Sequence, residues 1–385
     1  GTRAATREEA CLYAVNTLKA TLVEYKDKGS SITINGAEIV TGASKPTYVT
    51  SSIYNQATSI NKDKDNASGD YTVEFAERYQ PDLELDRDTD EFERPSYTWS
   101  WKNKDIGTYV DYSLMVAEYT TGVSGRDLYD VLTASTIRDA ELMVYVDGSE
   151  AEGGEVIAKS QMVRSNSSDV GVTDNGVLTQ VFVDNDANDG DGEITIASIN
   201  TYLAKATADY SERQERLTLN VFVDNPKGVS RTVDLEDVAG IENVTEDQFV
   251  LVNMSDKDRS RLEVVDVMDC EVLTDSTITK WSSATDPYVV SKLTTGGTQY
   301  DAAAKAFYDD DTLESYDEQL LTDMTYNVYL DQYGYVIGVE LYEGTLNYVF
   351  ITGYDLNSSN ISVKTADAAG IFLDGNMQKI TVDVK

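Results

Sequence analysis

The chain has no histidine, which removes the Ser-His-Asp and Cys-His nucleophile systems and every histidine-based zinc site. Catalysis would have to run on carboxylates, Lys, Tyr or Ser-Lys pairs, so the expectation is a protein that is not an enzyme. Cysteine is almost as scarce. Cys11 and Cys270 stand far apart in no metal-ligand spacing, which excludes a disulfide framework and leaves one long-range bridge open. Basic residues are few: 31 Lys+Arg face 68 Asp+Glu, a net charge of −37. A nucleic-acid partner is therefore not expected, because phosphate binding needs a basic face that can release counterions. An anionic membrane would repel the chain as well. No apolar run approaches the roughly 18 residues of a spanning helix, so membrane insertion is not expected. No secretory leader is recognisable, and the sequence reads as a segment of a larger protein.

What is present is an ordinary folding composition, 41% hydrophobic and 26% charged, in 385 residues. That length suggests two or three domains and ample core. The first stretch, "TREEACLYAVNTLKATLVEY", predicts a helix. Thr6 can cap it with Glu9 reaching back, and Cys11, Ala14, Val15, Leu18 and Leu22 recur at helical steps. This stripe predicts that Cys11 is a small buried thiol.

After residue 28 the character changes to short alternating runs of Val, Ile, Thr and Tyr between Gly, Asn and Asp clusters, as in "SITINGAEIV", "YTVEF" and "YTWSW". These are strand and turn signals. Helical interruptions are expected at "SGRDLYDVL" from Ser124, at "SINTYLAKA" and at "TLESYDEQLL". The expected fold class is mainly β: several small β-sandwich or β-barrel-like modules in series, with an N-terminal helix and few short helices. The expected boundaries are a helical segment over 1–28, a β-rich module over 29–135, a β-hairpin module over 136–240 and a β-rich module over 241–385. A short repeat, V-[YF]-[VL]-D, ends strands at Asp147, Asp184, Asp224 and Asp331, and each Asp should open a turn.

Three stretches carry candidate sites. "DNDANDGDGE" is an enlarged hairpin loop after one repeat copy. It fails as an EF-hand, because position 12 would fall on Ser198 and not on a Glu. Asp184, Asp186, Asn188, Asp189, Asp191 and Glu193 could still wrap calcium; the competing reading is a solvated acidic turn. "DLELDRDTDEFE", residues 82 to 93, sets seven acids around Arg87 and predicts an exposed, self-repelling loop. In "YTWSW", Tyr97, Trp99 and Trp101 alternate and fall on one strand face. That face is either a sheet core or a platform for glycans.

The opening helix resembles the closing helix of an S-layer-homology domain, with Thr6, Arg7, Glu9 and Ala10 in the places of its Thr-Arg-x-Glu-Ala start. "DIGTYVDYSLMVAEY", "GVLTQVFVD…EITIASINTYLAKAT" and "TYNVYLDQYGYVIGVEL…NYVFITGYDL" look like segments of exported gut Firmicutes proteins that carry such domains at the N-terminus. The resemblance implies an extracellular, bacterial cell-surface segment held to the cell-wall polymer by S-layer-homology domains outside this chain. The implied role is structural or display, with contacts to copies of itself or to host glycans. The alternative is an adhesin or glycan-binding module, and a carboxylate-based glycan hydrolase is a third reading. The motif residues that grip the wall polymer are not in this sequence.

Overall fold

The computed structural model describes residues 6–27, 29–34, 37–49, 73–80, 82–185, 187, 192–223, 229–235, 238, 240–257, 259, 261–283, 290–308, 325–342, 349–355, 365–372 and 375–383. It is mainly β, with several small sheets, two of them curled, and few helices. Two compact units emerge. The first comprises Gly1–Glu271, Asp301–Phe307 and Leu330–Gly338; the second comprises Val272–Tyr300, Tyr308–Tyr329 and Val339–Lys385.

The first unit begins with α1 (Arg7–Leu18), closed at its start by the reciprocal Thr6–Glu9 capping box that the sequence predicts. Its stripe is not buried: Cys11, Ala14, Val15 and Leu18 are all exposed. The expected buried thiol is therefore corrected, and both cysteines are free. Next come β1 (Val23–Tyr25), the hairpin β2 (Ser30–Ile34) and β3 (Ala37–Thr41), then β4 (Pro46–Tyr48), which pairs with β1. A short helix α2 (Phe75–Tyr79) leads into an antiparallel three-stranded sheet of β5 (Leu83–Thr89), β6 (Pro95–Trp101) and β7 (Lys104–Val110).

β8 (Met115–Tyr119) opens a five-stranded sheet. After it, α3 (Gly125–Leu132) starts on a Ser124–Asp127 capping box, and Thr133 at φ 61° ends it before α4 (Ala134–Asp139). Leu128 and Leu132, one turn apart, bury completely against Val144, Val181, Ile194 and Ile196. Each such side chain is worth about 1.5–3 kcal/mol of burial. β9 (Glu141–Val146), β10 (Ser149–Glu150), β11 (Leu178–Asp184) and β12 (Glu193–Ile199) complete the sheet in the order β10-β9-β12-β11-β8. The β12–β9 pair is parallel and the other pairs are antiparallel.

A second five-stranded sheet has the order β15-β14-β13-β16-β17, built from β13 (Tyr202–Ala206), β14 (Arg216–Val221), β15 (Thr232–Asp234), β16 (Phe249–Ser255) and β17 (Glu263–Asp269). Leu217, Leu219, Ile241, Val252 and Met254 form its core. "SINTYLAKA" is thus the end of β12 and the whole of β13, not a helix. Tyr202, Leu203, Ala204 and Ala206 are all buried, so the two-residue alternation that marks a strand is missing, and periodicity cannot separate such a run from a buried helix.

The remaining strands are β18 (Glu271–Ser276), β19 (Ile278–Ser283), β20 (Val290–Thr295), β21 (Thr298–Tyr308), β22 (Tyr326–Leu330), β23 (Val336–Leu341), β24 (Val349–Asp355), β25 (Thr365–Phe372) and β26 (Met377–Asp383). Within the second unit β19 pairs with β20, and β24, β25 and β26 form an antiparallel meander. The segment "TLESYDEQLL" lies outside the described residues.

Asp147 and Asp331 open turns as the repeat predicts, Asp184 ends β11 opposite Glu193, and Asp224 lies outside the described residues. Asp331 Oδ1 accepts from the Tyr333 and Tyr335 amides at 2.9 Å each. Asp147 sits at φ 49° between β9 and β10, 6% exposed, and reaches into the junction of the two five-stranded sheets. Its carboxylate accepts from Asn200 N at 2.8 Å, Asn200 Nδ2 at 2.9 Å and Tyr202 Oη at 2.7 Å. Burial pushes its pKa from 3.8 up to about 6, against those three donors, which pull it down.

The native state therefore holds a proton on Asp147 between about pH 4 and 6 that the unfolded chain has released, so this group's contribution to stability falls as pH rises through that window. Asp147→Ala should cost about 2–4 kcal/mol in urea unfolding at pH 7, because three buried donors lose their acceptor. The same variant should lose the slope of stability against pH between 4 and 6. An unchanged slope would show that Asp147 does not titrate there.

Candidate functional site

The acidic run over 82 to 93 is not an exposed loop. Most of it is β5, and residues 90 to 94 make a tight turn into β6 that both five-stranded sheets hold. The repulsion expected of seven acids is relieved locally. Asp90 accepts from the Phe92 and Arg94 amides, and the Arg94 guanidinium grips it from Nε at 2.8 Å and Nη2 at 2.6 Å. Both side chains of that pair are largely buried. Arg94 Nη1 also donates to Gln180 of β11 at 2.9 Å.

From the end of β16 three more donors close on the same turn. Ser255 Oγ donates to the Glu91 carbonyl at 2.6 Å, and Lys257 Nζ donates to the Thr89 and Asp90 carbonyls at 2.8 and 2.9 Å. Arg259 Nη1 meets the Glu91 carboxylate at 2.6 Å. Gly148, at φ 87° in the β9–β10 turn, comes so close that a Cβ there would lie 2.5 Å from the Glu91 carbonyl oxygen. Only glycine fits that approach. The turn is thus a clasp joining three sheets of one unit.

Beside the clasp lies a groove of about 250 Å³. Tyr97 of β6 and Tyr145 of β9 form its aromatic walls, and Glu93, Asp111, Asp184 and Glu193 bring carboxylates to it from four places in the chain, while Asp88 lines it with its carboxylate turned to Thr98 on the other face of the sheet. Arg87 is the one basic residue in its lining, and its Nη2 is held by Asp184 Oδ2 at 2.7 Å. Burial first, and then Glu93, Glu193, Glu150 and Glu141, push the Tyr145 phenol up to about 12. Tyr97 stacks on Tyr109 across the β6–β7 pair, with ring centroids 5.7 Å apart. Lys19 Nζ lies 4.2 Å from the centroid of Tyr109.

The candidates from sequence are distributed unevenly. Asp184 and Glu193 both reach the groove, at the paired ends of β11 and β12. Asp186, Asn188, Asp189 and Asp191 lie outside the described residues. Among the described residues no group of three His, Cys, Asp or Glu is placed to hold a metal ion. Tyr97, Trp99 and Trp101 share a face, as the alternation predicts, and this is the more open face of β6. Tyr97 and Trp99 are half-buried and Trp101 is 38% exposed, whereas the intervening Ser96, Thr98 and Ser100 are buried. The buried face is satisfied by polar contacts, such as Thr98 Oγ1 to Asp88 Oδ2 at 2.8 Å.

Sequence reasoning missed Tyr145, Asp111 and a buried pair, Glu74 and Glu77. Tyr145 sits inside a repeat copy, and Asp111 opens an Asx turn at "DYS" in which it accepts from Ser113 N and Oγ. Glu77 is 2% exposed and accepts from the Glu74 and Leu85 amides. Burial, and then the hydrogen bond to the Glu74 carboxyl, push its pKa up to about 9. Two carboxyls bonded to each other leave no space for a glycosidic bond, which retaining and inverting enzymes place between acids roughly 5 to 9.5 Å apart. Cys270, half-buried, donates to the Leu330 carbonyl, and burial pushes its thiol up to about 12. No family model, curated protein or solved structure matches the chain.

Arg94→Ala should cost about 3 kcal/mol in urea unfolding, the usual penalty for stranding one member of a largely buried ion pair. Arg138→Ala, which removes an exposed pair with Asp139, should leave the unfolding midpoint in place. Equal midpoints for the two variants would mean that the clasp contributes nothing.

Proposed function

We propose that this chain is a non-catalytic structural and display segment of a wall-anchored bacterial surface protein, working outside the cell. The observation that supports it is the clasp. A tight turn joins three sheets through Arg94, Ser255, Lys257 and Arg259, the arrangement expected of a segment that must keep its modules in fixed order. The resemblance of "TREEACLYAVNTLKA" to an S-layer-homology closing helix supplies the anchor, which would hold the cell-wall polymer through domains outside this chain. The net charge of −37 suits a highly hydrated outer surface. An antibody raised against the segment should label intact cells of the bacterium that encodes it. Labelling that needs permeabilised cells would sink the proposal.

A second reading has its own support. The ring face of β6 faces outward, and Tyr97, Trp99 and Trp101 at two-residue steps make a stripe onto which sugar rings can stack. On this reading the segment is an adhesin or glycan-binding module. Trp101→Ala should then weaken binding of a neutral oligosaccharide at least fivefold while leaving the melting temperature in place. No measurable oligosaccharide binding by the unaltered chain would remove this reading.

A further inference from the structure

We propose that the groove between β5, β6, β9, β11 and β12 binds a primary ammonium group carried by a small organic molecule, either an amino sugar or an aliphatic diamine. The lining sets the sign of the ligand. The carboxylates of Glu93, Asp111, Asp184 and Glu193 and one guanidinium line the space, and the guanidinium is already engaged by Asp184. An anion is excluded by this field, and a cation gains from carboxylates on several sides.

The kind of cation follows from the walls. A bare metal ion needs three or more ligating groups at one point, and none of the described residues are so grouped. Here the carboxylates are spread around two phenol rings, which suits an ammonium on an apolar body that can lie against an aromatic face. The volume of about 250 Å³ admits one sugar ring or one short alkyl chain.

The same surface already takes ammonium groups from its own chain in two places. Lys19 Nζ sits over Tyr109, the ring stacked on Tyr97. Lys257 Nζ rests on Thr89 Oγ1 and the Thr89 and Asp90 carbonyls, 3.8 Å from Glu93. The groove offers the same chemistry with the ammonium supplied from outside. If the ligand is an amino sugar, the inference rests on the glycan reading, because Trp99 continues the ring face of β6 one sugar-length beyond Tyr97.

Calorimetric titration of the whole chain in EDTA, at 50 and 300 mM salt, tests this with four probes: a glucosamine trimer, its fully N-acetylated counterpart, cadaverine and mono-N-acetylcadaverine. Saturable one-to-one binding of the trimer or of cadaverine is expected. It should weaken at least tenfold in the Glu193→Gln, Asp111→Asn double variant, while that variant keeps the native melting temperature. Preference for the trimer over cadaverine would identify an amino sugar, and the reverse preference a diamine; either supports the ammonium site. The N-acetylated trimer binding as well as the free amine would overturn the proposal and leave the glycan reading standing. Equal binding of cadaverine by the native chain and the double variant would reduce it to general counterion attraction and overturn it too. So would the absence of any amine binding at millimolar concentration.

Discussion

The turn of residues 90 to 94 is the contact on which the first unit depends, and it exists because cations are scarce. With about two acids to every base, the chain cannot neutralise each carboxylate with a lysine or arginine. It places Arg94, Lys257 and Arg259 around one turn, where three sheets meet, and leaves other acids to backbone amides and hydroxyls. Asp111 and Asp331 accept from backbone N–H groups, and Asp88 accepts from Thr98. Hydrogen bonds to the ionised form stabilise a carboxylate nearly as a cation would, at no cost in charged residues.

Where amides and hydroxyls do not suffice, protonation completes the balance. Asp147 and Glu77 are buried in places where no cationic side chain donates to them in the hydrogen bonds described, and burial raises both above the ordinary carboxylate range. Neither group strengthens the fold as pH rises. Each makes the packed state a better proton binder than the unfolded chain, so mildly acid conditions favour the native junctions. An acidic surface thus coexists with interior acids that are partly neutral.

How much of this could be read from sequence depends on what kind of signal each element leaves. The β class, the Thr6–Glu9 cap and the Ser124 helix were legible because alternation and capping residues are local. "SITINGAEIV" folds into its hairpin for the same reason. Strands buried on both faces, such as β13, lose alternation and imitate helices. The stripe on α1 is real as a pattern, but a pattern cannot say whether a partner covers it, and here Cys11, Val15 and Leu18 stay exposed. The acidic run was misread for a different reason. Its partners Lys257 and Arg259 come from more than 160 residues away, a pairing that only the fold reveals.

The groove shows the same division between local and distant information. Asp184, Glu193 and Tyr97 could each be singled out as chemistry-bearing, yet as members of separate hypotheses, a cation loop and a sugar platform. The pairing of β11 with β12 brings Asp184 opposite Glu193, the parallel β9–β12 pair places Tyr145 in the same sheet, and Arg87 joins β5 to the end of β11. One surface then combines an aromatic wall with a negative field. That combination selects by charge and by shape at once, which neither a row of acids nor a row of rings can do alone. A segment whose outer surface is uniformly anionic would repel other anionic surfaces without discrimination. The aromatic-walled groove is the described place on it where a small cation gains both kinds of contact.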